Sequence, residues 1–90
     1  MTQSFSPDWT SPPGWIVEEL RGERRISLHD LAGMIGLTVP EVLELEGGSF
    51  QLDPLLAERL EYVFGISEAT WLSLEENYRK DLTKGLKVSK

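Results

Sequence analysis

The sequence predicts an all-α fold of five short helices in one domain, and three observations predict it. Apolar residues recur at i, i+3, i+4 and i+7, as in Leu28, Leu31, Ala32 and Ile35. Residues that start helices (Ser27, Thr38, Asp53, Ser67) stand before such stripes, and glycines (Gly36, Gly48, Gly65) stand after them. A length of 90 residues, 40% hydrophobic and 27% charged, suits one soluble globular domain with a modest core.

Residues 1–12 read as an extended N-terminal arm, because Pro7, Pro12 and Pro13 disfavour helix around isolated Phe5 and Trp9. Residues 13–82 make the domain. Its first helix begins near Pro13 and turns Trp15, Ile16, Val17 and Leu20 inward, leaving Glu18, Glu19, Arg21 and Glu23 in water. Arg24 and Arg25 follow as the densest basic spot before the C-terminal tail. Ser27 caps the second helix, with Asp30 three residues on as a shortened capping box.

The stretch from Ser27 to Gly48 organises the rest, and its spacing is that of a helix-turn-helix. Gly36 supplies the positive φ that a sharp turn needs, and Leu37 plugs the turn. Thr38 and Glu41 form a capping box for the third helix, 38–46, with Pro40 in its first turn. Val42 and Leu45 face inward, and Ala32 is small enough for the two helices to cross closely.

Ser49 to Leu52 is a short linker. Asp53-Pro54 opens the fourth helix, whose stripe is Leu56, Leu60, Val63 and Phe64, and Gly65 ends it. Ser67 caps the fifth, where Trp71, Leu74, Tyr78 and Leu82 recur at i, i+3, i+7 and i+11. Residues 83–90, with Lys84, Lys87 and Lys90, read as a flexible C-terminal tail.

Several function classes fall away. There is no cysteine, hence no disulfide, thiolate nucleophile or cysteine-based zinc site. One histidine and no glycine-rich phosphate loop give catalysis no support, so neither an enzyme nor a cofactor is expected. No apolar run reaches the roughly 20 residues of a membrane span, and the N-terminus shows no signal peptide, so the cytoplasm is the expected place. The net charge of −6 opposes the basic face with which proteins displace counterions from DNA.

From Pro13 to Leu82 the chain resembles the HigA-like antidote (antitoxin) proteins, a branch of the lambda-repressor-type (XRE) helix-turn-helix superfamily. The residues that carry the likeness are Pro13-Gly14, the central run Leu31 to Val42, Leu45-Glu46-Gly47-Gly48, Asp53-Pro54, Leu60 and Phe64 to Ser67. Above all there is Trp71-Leu72-Ser73-Leu74 followed by Tyr78. The resemblance implies a five-helix lambda-repressor-like domain of bacterial or phage type. It implies a homodimer that represses an operator in double-stranded DNA through its third helix and neutralises a toxin. It places Leu28, His29, Thr38, Glu41 and Glu44 on the DNA, and Ser49 where the family usually carries Lys or Arg.

The departures fall where DNA would be read. Ser27 to Gly48 holds no Lys or Arg, against Asp30, Glu41, Glu44 and Glu46. Each candidate therefore has two readings. Glu41 either accepts from a cytosine amine or completes the cap of Thr38, and Glu44 is either a DNA contact or a solvated helix face. Glu46 reads as a local cap or pair, and His29 as a phosphate contact or a solvated histidine. Arg24 and Arg25 are the best phosphate partners, unless the nearby Glu18, Glu19 and Glu23 take them. Trp71, Leu74, Tyr78 and Leu82 are candidates for the core or a dimer interface. The alternative to a DNA-binding regulator is a degenerate helix-turn-helix that binds a basic protein through its acidic third helix.

Overall fold

The computed structural model describes residues 9–88. Five helices follow one another: α1 (Gly14–Glu23), α2 (Leu28–Ile35), α3 (Val39–Gly47), α4 (Pro54–Phe64) and α5 (Glu68–Thr83). Two short strands, β1 (Trp9–Thr10) and β2 (Lys87–Val88), pair in parallel, Trp9 opposite Lys87 and Thr10 opposite Val88. Nothing in the sequence pattern announces this pair, because two residues are too few for alternation to show. It joins the end of the expected arm to the expected tail. Most of that arm, with Phe5 and Pro7, lies outside the described residues, as does Lys90.

Local chemistry sets the helix boundaries. Ser27, Asp53 and Ser67 accept from the backbone N–H three residues on, at 3.0, 2.8 and 3.1 Å. Thr38 and Glu41 make the full box: the Thr38 hydroxyl accepts from the Glu41 N–H, and the Glu41 carboxylate accepts from the Thr38 N–H at 2.8 Å. Ser27 and Asp30 do not complete a box. The aspartate side chain is one methylene shorter than glutamate, and Ser27 is a simple cap. Gly36 closes α2 at φ 74° and Gly48 closes α3 at φ 92°.

The core is one cluster. Val17 of α1, Leu31, Ala32 and Ile35 of α2, and Val42 and Leu45 of α3 meet Leu56, Ala57, Leu60 and Phe64 of α4 and Trp71 of α5. Leu52 is buried and anchors the linker, and Leu37 packs against the cluster as the turn plug. The buried Gly14 lets α1 lie directly on the end of α3, since a Cβ there would collide with the Leu45 carbonyl. Trp71 has the largest fully buried side chain, and its Nε1–H donates to no acceptor among the described residues.

A part-buried ion pair ties α1 to α3. The Arg21 guanidinium donates through Nε to Glu46 Oε2 at 2.7 Å and through Nη2 to Oε1 at 3.1 Å. Its Nη1 donates to the Ile26 carbonyl at 3.2 Å. Glu46 is 6% exposed. Its carboxylate, accepting from the guanidinium, raises the Arg21 pKa above the usual arginine range, against the opposing effect of burial. Two expectations are corrected here. Arg21 is not a solvated side chain, and Glu46 pairs not locally but across 25 residues.

Candidate nucleic-acid interface

In a helix-turn-helix, the surface offered to DNA is the start of the second helix and the outer face of the third. Here those are the first turn of α2 and the outer face of α3. The core contacts of Val42 and Leu45 fix the rotation of α3 and leave Pro40, Leu43, Glu44 and Gly47 exposed, a stripe at i, i+3, i+4 and i+7. Leu43 is 52% exposed on this face. It is the residue the sequence reading passed over, although its position out of phase with Val42 and Leu45 is a usable signal.

The expected DNA-contact residues divide into two groups. His29 and Glu44 are exposed, and their side chains make no hydrogen bond among the described residues. Leu28, Thr38, Glu41 and Ser49 have structural work. Leu28 is half-buried and packs against the core. Thr38 and Glu41 hold each other in the capping box, and Ser49 Oγ donates to the Glu44 carbonyl at 3.3 Å at the end of α3. On the outer face of α3 there is no cation, and Glu44 is its one acidic side chain.

The arginines are mostly engaged elsewhere. Arg24 donates through Nη1 to the Val63 carbonyl at 2.9 Å and through Nη2 to the Phe64 carbonyl at 3.1 Å. Its guanidinium also lies over the Phe64 ring, 5.2 Å from the centroid. It therefore caps the C-terminus of α4, where bare carbonyls attract cations. The acids near it in sequence do not take it. Arg59 of α4 does the same for α2, donating to the Ile35 carbonyl at 3.0 Å. Arg79 pairs with Glu75 at 2.6 Å. Among the described residues Arg25 alone of the arginines has no side-chain partner, and it stands in the left-handed region at φ 56°.

Because Arg24 is a helix cap, Arg24→Ala is expected to lower stability by about 1–2 kcal/mol, the scale of hydrogen bonds to a charged group that is partly solvated. Thermal denaturation of the variant checks this. An unchanged melting temperature would return Arg24 to the pool of free cations.

Of the four residues expected in the core or a dimer interface, two stand in the core. Trp71 is fully buried and Tyr78 is 5% exposed inside the protomer, so neither is available to a second chain. The Tyr78 hydroxyl lies beside Gly48, and so does Pro12. Leu74 and Leu82 are half-buried and are what remains of the strip on α5. Among the described residues no group of three His, Cys, Asp or Glu could hold a metal ion, and no helix is long and apolar enough to cross a membrane.

No protein-family model matches the sequence, and no curated protein does. Solved structures match closely in shape. The antitoxin HigA of Pseudomonas aeruginosa, solved with the higBA promoter, has a TM-score of 0.75 and 25% identity over 82% of each chain. An addiction module antidote protein of the HigA family from Coxiella burnetii gives 0.73 and 27% over 82% of each chain. The chain is HigA-like in fold. A third neighbour, an antidote protein of a plasmid maintenance system from Nostoc punctiforme, gives 0.74 at 22% identity. That match covers 87% of this chain and 84% of the other. The HigA-like fold thus carries the five-helix, helix-turn-helix architecture, as the resemblance implied.

Proposed function

We propose that the chain is a small DNA-binding transcriptional regulator of the antitoxin type, acting as a homodimer with α3 as its recognition helix. The observation that carries this reading is the match in shape to the Pseudomonas aeruginosa antitoxin that was solved with promoter DNA. The open outer face of α3 supports it. The antitoxin and antidote neighbours bring with them a toxin as a protein partner, and a cytoplasmic site of action follows from that role. Leu74 and Leu82 are what the expected strip on α5 leaves for the two-fold contact.

With no cation on α3 and Arg24 engaged as a cap, few phosphates can be neutralised. Arg25, Lys84 and Lys87 are the candidates. At about −0.9 per phosphate, the slope of log K against log salt is expected to be no steeper than about −3 per protomer. Fluorescence anisotropy with the DNA upstream of the chain's own reading frame, titrated at several salt concentrations, measures it. No binding to that DNA at low salt would sink the regulator reading. A much steeper slope would show that phosphate contacts come from residues other than these.

The acidity of the helix-turn-helix favours a second reading, a protein-binding module whose α3 face meets a basic surface. Replacing both Glu41 and Glu44 by Gln separates the two, because glutamine at 41 still completes the capping box. The double variant binds DNA more tightly if α3 faces DNA, since the acids repel phosphate. It loses its protein partner if α3 faces a basic protein.

A further inference from the structure

The least expected side chain in the molecule is Tyr62. It is 93% exposed on α4, a helix whose buried positions are Leu56, Ala57, Leu60 and Phe64. Met34 of α2, 52% exposed, stands with it in the wall of an open cleft of about 750 Å³. The two side chains also line an adjoining hollow of about 360 Å³ with Ile26 and Val63. Folding does not require an open tyrosine and an open methionine to share a cleft. Exposed apolar surface rimmed by polar groups is the mark of a contact site.

The rim identifies the occupant. Glu58, Glu61 and Glu68 line the cleft, against one cation, Arg59. Arg59 is partly committed to the Ile35 carbonyl, and one oxygen of Glu61 accepts from the Glu68 N–H at 2.9 Å. The carboxylates of Glu58 and Glu68 have no hydrogen-bond partner among the described residues. The cleft therefore offers an aromatic face, a flexible thioether and unpaired negative charge. That combination attracts a lysine or arginine accompanied by an apolar side chain. It repels phosphate, and it repels a second copy of a chain whose own net charge is −6.

We propose that the cleft between α2, α4 and the start of α5 is the docking site for a basic segment of a partner protein. The segment places a cation against Glu58 and Glu68 and an apolar side chain against Tyr62 and Met34. No residue of α3 lines the cleft, so it can be filled while α3 faces something else. The proposal does not rest on DNA binding.

The test uses the whole chain as bait for a displayed library of random dodecapeptides. Selected peptides are expected to be rich in Lys or Arg alongside aromatic or aliphatic residues. Tyr62→Ala, a surface change that should leave the melting temperature unaltered, is expected to weaken the selected peptides tenfold or more. Glu58→Lys is expected to weaken them as well, whereas Glu41→Gln with Glu44→Gln leaves them unchanged. Selection of peptides without cations, or equal binding to wild type and both cleft variants, overturns the proposal. So does a dimer in sedimentation that Tyr62→Ala alone dissociates, since a second copy would then cover this face. DNA binding, read separately by anisotropy, is expected to be the same for Tyr62→Ala and wild type.

Discussion

Trp71→Ala is expected to leave the chain largely unfolded. Trp71 is 0% exposed and stands where α5 meets the core built by the other four helices. Truncating a core tryptophan costs about 3–5 kcal/mol, against a total stability of about 5–15 kcal/mol for a whole domain. A 90-residue chain lies toward the low end of that range, because small domains bury a smaller share of their surface. Trp71→Phe separates packing from polarity. The indole N–H donates to no acceptor among the described residues, so phenylalanine gives up volume but no hydrogen bond. Its loss is expected to be well under half that of alanine. Denaturant unfolding of the two variants measures both. A Trp71→Ala protein with a wild-type midpoint would mean that α5 does not close the core.

The second large effect is expected at the ion pair between α1 and α3. Glu46→Ala removes a carboxylate that receives two hydrogen bonds from Arg21 and leaves the guanidinium, with 20% of its side chain exposed, without its ion-pair partner. Breaking a buried pair on one side costs about 3–5 kcal/mol. Since Arg21 retains some water and its bond to the Ile26 carbonyl, a loss of about 3 kcal/mol is expected. Replacing both partners, Arg21→Met with Glu46→Leu, removes the charges together and is expected to recover most of that loss. Chemical denaturation of the single and double variants completes the cycle. If the double variant is as unstable as Glu46→Ala, the pair matters through its shape and its bond to Ile26 rather than through charge balance.

This pair also bears on function. It uses the acid at the end of α3 to hold α1, and so fixes the helix that carries the exposed Leu43 and Glu44. The negative charge counted from Ser27 to Gly48 is therefore not all surface charge. Glu46 is paired with Arg21 inside the molecule and Glu41 is occupied as a cap, which leaves Glu44 and Asp30 as the acids in solvent there. The outer face of α3 is less acidic than its sequence suggests. It is also poorer in phosphate partners, because Arg24 is withdrawn to α4.

The five helices, their caps and their inward stripes were legible in the sequence, because each depends on residues three or four apart. Thr38 and Glu41 meet wherever a helix starts at Val39, and Gly36 and Gly48 can turn left-handed wherever they lie. The burial of Val42, Leu45, Leu60 and Trp71 follows from the same spacing. Only the tertiary structure decided what the charges do. Arg21 meets Glu46 across 25 residues, Arg59 meets Ile35 across 24, and Arg24 meets Phe64 across 40. Such partners depend on how helices are placed against one another, which no local spacing encodes. The same placement buries Tyr78 within the protomer and leaves Tyr62 in solvent, although each is a tyrosine on an amphipathic helix. Sequence periodicity assigns a residue to a helix face, and packing against the remaining helices determines whether that face is covered.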